Sequence, residues 1–317
     1  MKTFFKTAAA TAILAMGTAT TVSADGHGWQ PDGPINLLIA FAAGGGADTQ
    51  ARLIADQVQE ATGWEIIPEQ VTGAGGINAV RALQDMPADG TAIAMVVTES
   101  LGYNAAANPD AGVTPESVTP LTTTAGFQMA VVAPASSGWT SFEDMMAAAQ
   151  GGQDIRFGVM SPKLADLAYL LGEANGAEFN IISVRGGRAV MDGVVAGDMD
   201  VGFMAGIQGA GVAAGDLVNL ASALSSPLAQ TPDAPTLSDL GVEFNADGYF
   251  VFVGPAGMPD DARAALTDAL IAASNDGAAA DMIGRAFSGT VNISGADLDA
   301  LLANDFEAAG QLLEATQ

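Results

Sequence analysis

The sequence predicts an α/β protein of two lobes, the second inserted into the first, with a cleft between them. Three observations carry this. Apolar strand-like runs alternate with amphipathic, alanine-rich helical stretches from residue 35 onward, the pattern of largely parallel sheets with covering helices. The character shifts at "NPDAGVTPESVTP", after which a second strand–helix set begins. Near the end, "GYFVFVGPAGMP" returns to strand and is followed only by helices. The expected division is a signal peptide over 1–24, a first lobe over 25–120 plus 240–317, and a second lobe over 121–239.

The elements follow in order. "MKTFFKTAAATAILAMGTATTVSA" has Lys2 and Lys6, an apolar stretch too short to span a bilayer, and the small-residue pattern Val22-Ser23-Ala24; it reads as a secretory signal. "INLLIA" is the first strand and "DTQARLIADQVQEATG" its helix, with Leu53, Ile54, Val58 and Ala61 on one face and Gly63 as the stop. "WEIIPEQ" and "TAIAMVV" are strands, joined through a glycine turn and helix in "GAGGINAVRALQDMPADG". This β-α-β-α-β run is half of a doubly wound domain. In the second lobe "QMAVVAP", "IRFGV", "NIISV", "MDVGFM" and "VNLASAL" read as strands, and "SFEDMMAAAQ", "ADLAYLLGEAN" and "RAVMDGVVAG" as helices. "TPDAPTLSDLG" is a turn-rich connection, and "DDARAALTDALIAASND" and "GADLDALLANDFEAAGQLLEATQ" are closing helices.

Composition narrows the function. The formal net charge is −26, which disfavours nucleic acid and anionic membrane surfaces as partners. Cysteine is absent, so an exported life proceeds without disulfides and no lipoprotein anchor follows the cleavage site. One histidine, His27, leaves no Ser-His-Asp or Cys-His set and no zinc site. If cleavage follows Ala24, Asp25-Gly26-His27 becomes an N-terminus able to chelate Cu(II) or Ni(II), with an incidental terminal histidine as the plainer reading. The carboxylates show no acid/base spacing, and the 13 methionines suit an alanine-rich core. A non-enzymatic monomer without cofactor or resident metal is expected.

The most informative stretch is "FAAGGGADTQARL", residues 41–53. A strand–glycine–helix unit presents unpaired N–H groups at the positive end of a helix dipole, a site for anions. Glycine lets the main chain approach a ligand closely, and Asp48 can accept N–H bonds at the helix start. A tight turn is the alternative. No Lys-Ser/Thr follows, so this is no nucleotide P-loop. Gly44 and Gly46 fit a dinucleotide fingerprint, with Glu65 and Glu69 at ribose distance, but its last glycine position holds Thr49. A carboxylate fits better, held directly or through water. A dinucleotide-dependent oxidoreductase is the competing reading.

"PINLLIAFAAGGGADTQARLIADQV", "VTGAGGINAVRALQDMPADGTAIAMV", "GGRAVMDGVVAGDMDVGF", "APTLSDLGVEF" and "VGPAGMPDDARAALTDAL" occur in one family's order and spacing. The chain resembles the TctC/Bug family, the periplasmic solute-binding proteins of tripartite tricarboxylate transporters, over nearly all of its length after residue 24. The resemblance implies a two-lobed periplasmic-binding-protein fold that closes on a small organic carboxylate and delivers it to a membrane permease. It places the first carboxylate-holding loop at Ala42, Ala43, Gly44, Gly45, Gly46 and on to Asp48, and the opposing loop at "FGVMSPKLADLAYLL". There the chain departs from the family's Ser/Gly-rich turn and His-Leu: it has Ser161, Pro162 and Lys163, with Asp166 near the usual histidine and one residue fewer. Ser161 could donate a hydroxyl and Lys163 a positive charge. "SVRGGRAVM" replaces a Pro-aromatic pair. It puts Arg185 and Arg188 beside two glycines at a helix start, suited either to a ligand carboxylate or to surface pairing with acids. Distal contacts are expected from Thr98, Ser100 and Tyr103 after "TAIAMVV", at the carboxyl edge of a sheet, and from Met204 in "GFMAG".

Overall fold

A computed structural model describes residues 28–316 of the chain. The signal segment 1–24 and the Asp25-Gly26-His27 motif lie outside the described residues. The first lobe opens with β1 (Ile35–Ile39), α1 (Gly46–Thr62), β2 (Ile66–Gln70), a single turn at Ala74–Gly76, α2 (Ile77–Gln84) and β3 (Ala92–Val97). Two one-turn helices follow, α3 (Thr98–Leu101) and α4 (Tyr103–Ala106), and then β4 (Val118–Gly126). The chain crosses into β5 (Ala130–Pro134), α5 (Phe142–Gln150), β6 (Arg156–Val159), α6 (Pro162–Asn175), β7 (Asn180–Ser183), α7 (Gly187–Ala196), β8 (Val201–Met204), α8 (Gly209–Ala214) and β9 (Leu217–Ser222). It returns through β10 (Tyr249–Pro255) to α9 (Asp260–Ser274), α10 (Gly277–Phe287) and α11 (Gly295–Ala315).

These form two five-stranded sheets, β2-β1-β3-β10-β4 and β7-β6-β8-β5-β9. In each, three strands run parallel and one neighbour is reversed: β10 is antiparallel to β3 and β4, and β5 to β8 and β9. The reversed strands are where the chain has just crossed between lobes. The two crossings touch, with Phe127 N–H donating to Gly248 O at 2.9 Å, and Gln128 N–H of the first crossing donates to Ala205 O, just past β8, at 3.1 Å.

The helix stop expected at Gly63 is observed: it caps α1 in the left-handed conformation, φ 78°, donating to Gln59 O, a backbone state that favours glycine. The expected boundary at residues 120 and 121 falls inside β4, which stays with the first sheet to Gly126. Its proline and threonines argue against a central strand. The strand is at the sheet edge, where Pro120 is tolerated. It is nonetheless buried because α9 and α11 pack across it. Helix α10 likewise has no separate counterpart in the sequence reading.

The main chain is built to hold the inner loops still. Asp48, 4% exposed, accepts from Gly44 N–H at 2.8 Å, from Arg52 Nε at 2.8 Å and from Gln70 Nε2. It therefore ties the glycine loop to both α1 and β2, the last through the Gln70 side-chain amide. Arg156 and Asp200 clamp β6 to the turn before β8 through two side-chain bonds of 3.0 and 2.9 Å and one from the Arg156 main-chain N–H at 2.9 Å.

Candidate ligand-binding site

The turns after β1 and β3 and the crossing after β4 meet, from the other lobe, the turns after β6, β7 and β8. They enclose a cavity with an empty volume of about 600 Å³, open solvent included. The first lobe contributes Phe41, Ala42, Gly45, Gly46, Ala47, Gly75, Val97, Glu99 and Phe250, the crossing contributes Phe127 and Met129, and the second lobe Met160, Ser161, Leu164, Gly187, Ala205 and Ile207.

Two helices start at its wall from opposite sides. The first-turn N–H groups of Gly46 and Ala47 in α1 and of Gly187 in α7 have no protein acceptor among the described residues. Both helices are long enough to carry a positive N-terminal end. The gap between them is narrow: a Cβ on Gly186 would lie 3.5 Å from Ala42 N, and one on Gly45 would lie 3.9 Å from Arg188 Cβ. Gly46 is needed for packing as well, since a Cβ there would reach 2.7 Å from Phe287 Cζ. The third helix start, at α6, is satisfied internally. Ser161 Oγ accepts from Leu164 N–H at 3.3 Å, and Lys163 N–H donates to Asn104 Oδ1 at 3.4 Å.

The lobes also latch at the cavity's side. Ser161 Oγ–H donates to Glu99, and Tyr103 Oη–H donates to Asp166. Burial, with Asp166 as the next cause, pushes the Tyr103 phenol above its ordinary range. Behind this latch α11 brings Asp305 against Gly102, and burial pushes the Asp305 carboxyl up despite the opposing Lys163 charge.

The residues expected at the site divide as follows. Ala42, Gly45, Gly46 and Ser161 line the cavity. Ala43 and Gly44 are exposed beside it. The Gly44 and Gly45 amides turn inward, to Asp48 and to Ala42 O at 3.3 Å, so the open amides lie one step further along, at Gly46 and Ala47. Asp48 is an anchor of the loop and does not line the cavity. Thr98 and Ser100 are buried behind the wall. Thr98 Oγ1 accepts from Tyr249 N–H at 3.2 Å, and Ser100 Oγ–H donates to Gly75 O at 2.7 Å. The residue between them, Glu99, is the one that reaches the cavity. Lys163 is half-buried and does not line the cavity, Arg185 is exposed, and Arg188 pairs with Asp192 at 2.9 Å. Met204 is fully buried in β8; Met129 and Met160 line the cavity in its place. The sequence reading missed Glu99 because it took residues 98–103 as a loop whose hydroxyls face a ligand, whereas Thr98 and Ser100 are held by Tyr249 N–H and Gly75 O and the acid between them lines the cavity.

Two α/β lobes joined by paired crossings, with glycine-started helices facing one interlobe cavity, define the class: a two-lobed periplasmic-binding-protein fold. Solved structures bear out the fold. The chain superposes on the periplasmic binding protein BugD with a TM-score of 0.79 at 19% identity, over 90% of this chain and 98% of that one. It superposes on MatC from Rhodopseudomonas palustris, solved with bound malate, with a TM-score of 0.77 at 18% identity, over 90% and 100%. An R. palustris protein solved with adipate gives 0.79 at 19%, over 90% and 98%. Among characterised sequences, BugT of Bordetella pertussis is 28% identical over 266 residues, 77% of this chain and 76% of that protein. Residues 50–317 match the tripartite tricarboxylate transporter family receptor, TctC; the chain belongs to that family.

Proposed function

We propose that the chain is an exported, non-enzymatic receptor that captures a small organic carboxylate between its lobes in the periplasm and hands it to a tripartite tricarboxylate-type permease. The observation that carries this is the pair of opposed helix starts, Gly46–Ala47 and Gly187, whose N–H groups lack protein acceptors and border one cavity. Such groups favour an anion, and an anion bridging both lobes stabilises the closed form by its differential affinity. The malate and adipate in two proteins of the same fold support the ligand class. Family membership supports the transport role. The N-terminal signal pattern supports export.

A thermal-shift screen of mono-, di- and tricarboxylates, aromatic acids and nucleotides tests this. A rise in melting temperature with carboxylates is the expected result. A rise with nicotinamide cofactors alone would overturn it in favour of the dinucleotide enzyme.

A further inference from the structure

Apart from the helix starts, the strongest polar feature of the cavity wall is one buried acid. Glu99 is 6% exposed and lines the cavity. Its Oε1 accepts from Ser161 Oγ–H and from Asn104 Nδ2 at 3.5 Å, while Oε2 has no protein donor among the described residues. Among the described residues, no lysine, arginine or histidine lines this cavity. Of the three cations expected at the site, Lys163 does not line the cavity, Arg188 is paired to Asp192, and Arg185 is exposed. Much of the remaining wall is apolar, with Phe41, Val97, Phe127, Met160, Ile207 and Phe250.

A ligand with two carboxylates would set its second charge in a cavity holding Glu99 and no basic side chain, and a buried charge without a partner is strongly disfavoured. A ligand with an ammonium group would instead complete the open side of Glu99 with a charge-assisted hydrogen bond. The net charge of −26 acts the same way, opposing a dianion and not a zwitterion. Resting on the carboxylate reading of the cleft above, we propose that the ligand is a small amino acid. Its carboxylate sits at the starts of α1 and α7, its ammonium on Glu99, and its carbon chain against the apolar wall. Glu99 is then the residue that sets specificity against di- and tricarboxylates.

Calorimetry on the mature chain tests this with matched probes: γ-aminobutyrate, γ-hydroxybutyrate and succinate; ε-aminocaproate, ε-hydroxycaproate and adipate; with leucine, alanine and malate alongside. At least one amino acid should bind about tenfold or more tighter than its matched diacid and hydroxy acid, a difference of the size a buried ion pair supplies. Glu99→Gln should lose that preference and gain diacid binding, with its ligand-free melting temperature reporting whether it folds. If it does not fold, the wild-type ranking decides alone. Diacids binding tighter than matched amino acids, hydroxy acids equalling them, or a ranking unchanged in folded Glu99→Gln would overturn the inference while leaving the carboxylate reading intact. Binding of no carboxylate at all would overturn both.

Discussion

Gly45 has an extended backbone, φ −78° and ψ 171°, that any residue can adopt. A side chain there starts 3.2 Å from Ala42 O and points toward Arg188 of the other lobe. Gly45→Leu is therefore expected to fold normally, with stability within about 1 kcal/mol of wild type, and to lose ligand affinity by roughly tenfold or more because the lobes cannot approach. Calorimetry beside a thermal melt separates the two effects; retained affinity would show that the loop is not compressed on closure. Asp305 makes the opposite kind of residue-scale prediction. Burial raises its carboxyl above the ordinary value of 3.8, so the native state binds its proton more tightly than the unfolded chain does. That contribution to stability is complete below the ordinary value and is lost as pH rises through the raised one. Asp305→Asn should then be more stable than wild type at neutral pH and match it in acid. Melting curves across that range check the sign.

At the scale of elements, α4 and α6 form the latch between lobes through Tyr103 and Asp166. Tyr103→Phe removes one hydrogen bond to a charged acceptor and leaves the ring in place. If the bond forms only when the lobes close, its loss weakens ligand binding by roughly fivefold to tenfold, the equivalent of about 1 kcal/mol. Asp166→Asn in the Tyr103→Phe background should then add little, since both act on one contact. Affinities that fall additively would show that the two residues do not act through one contact, and an unchanged affinity in Tyr103→Phe would place the latch in the open form too. Much at this scale was legible in the sequence: β1 through β3, β5 through β10 and the longer helices follow from apolar runs and glycine stops. Strand β4 did not, because its threonines and Pro120 carry no alternating signal and its burial comes from α9 and α11, over a hundred residues later in the chain.

For the whole molecule, a net charge of −26 on 317 residues means that compact states repel themselves. Raising sodium chloride from about 0.05 M to about 0.5 M shortens the Debye length to a few ångströms. It should raise the ligand-free melting temperature by several degrees, since self-repulsion is screened. A melting temperature that falls with salt would show that attractive surface pairs outweigh the repulsion. The main chain crosses between the lobes where Phe127 N–H donates to Gly248 O at 2.9 Å, so the lobes should move about that line.

By itself the sequence determined the class of the fold, the glycine loop as a turn at the interlobe cavity, and the family order of motifs, because each is encoded locally: period, glycine placement and short spacing. Only the tertiary structure decided which side chains face that cavity. Thr98, Glu99 and Ser100 are consecutive, yet hydrogen bonds to Tyr249 and Gly75 hold the two hydroxyls in the wall while the acid lines the cavity. Lys163, Arg185 and Arg188 look suited to an anion in sequence, yet none lines the cavity: Arg188 pairs with Asp192 one helical turn on, and Arg185 is exposed. The direction of a side chain depends on packing between elements far apart in the chain, and no local pattern carries it.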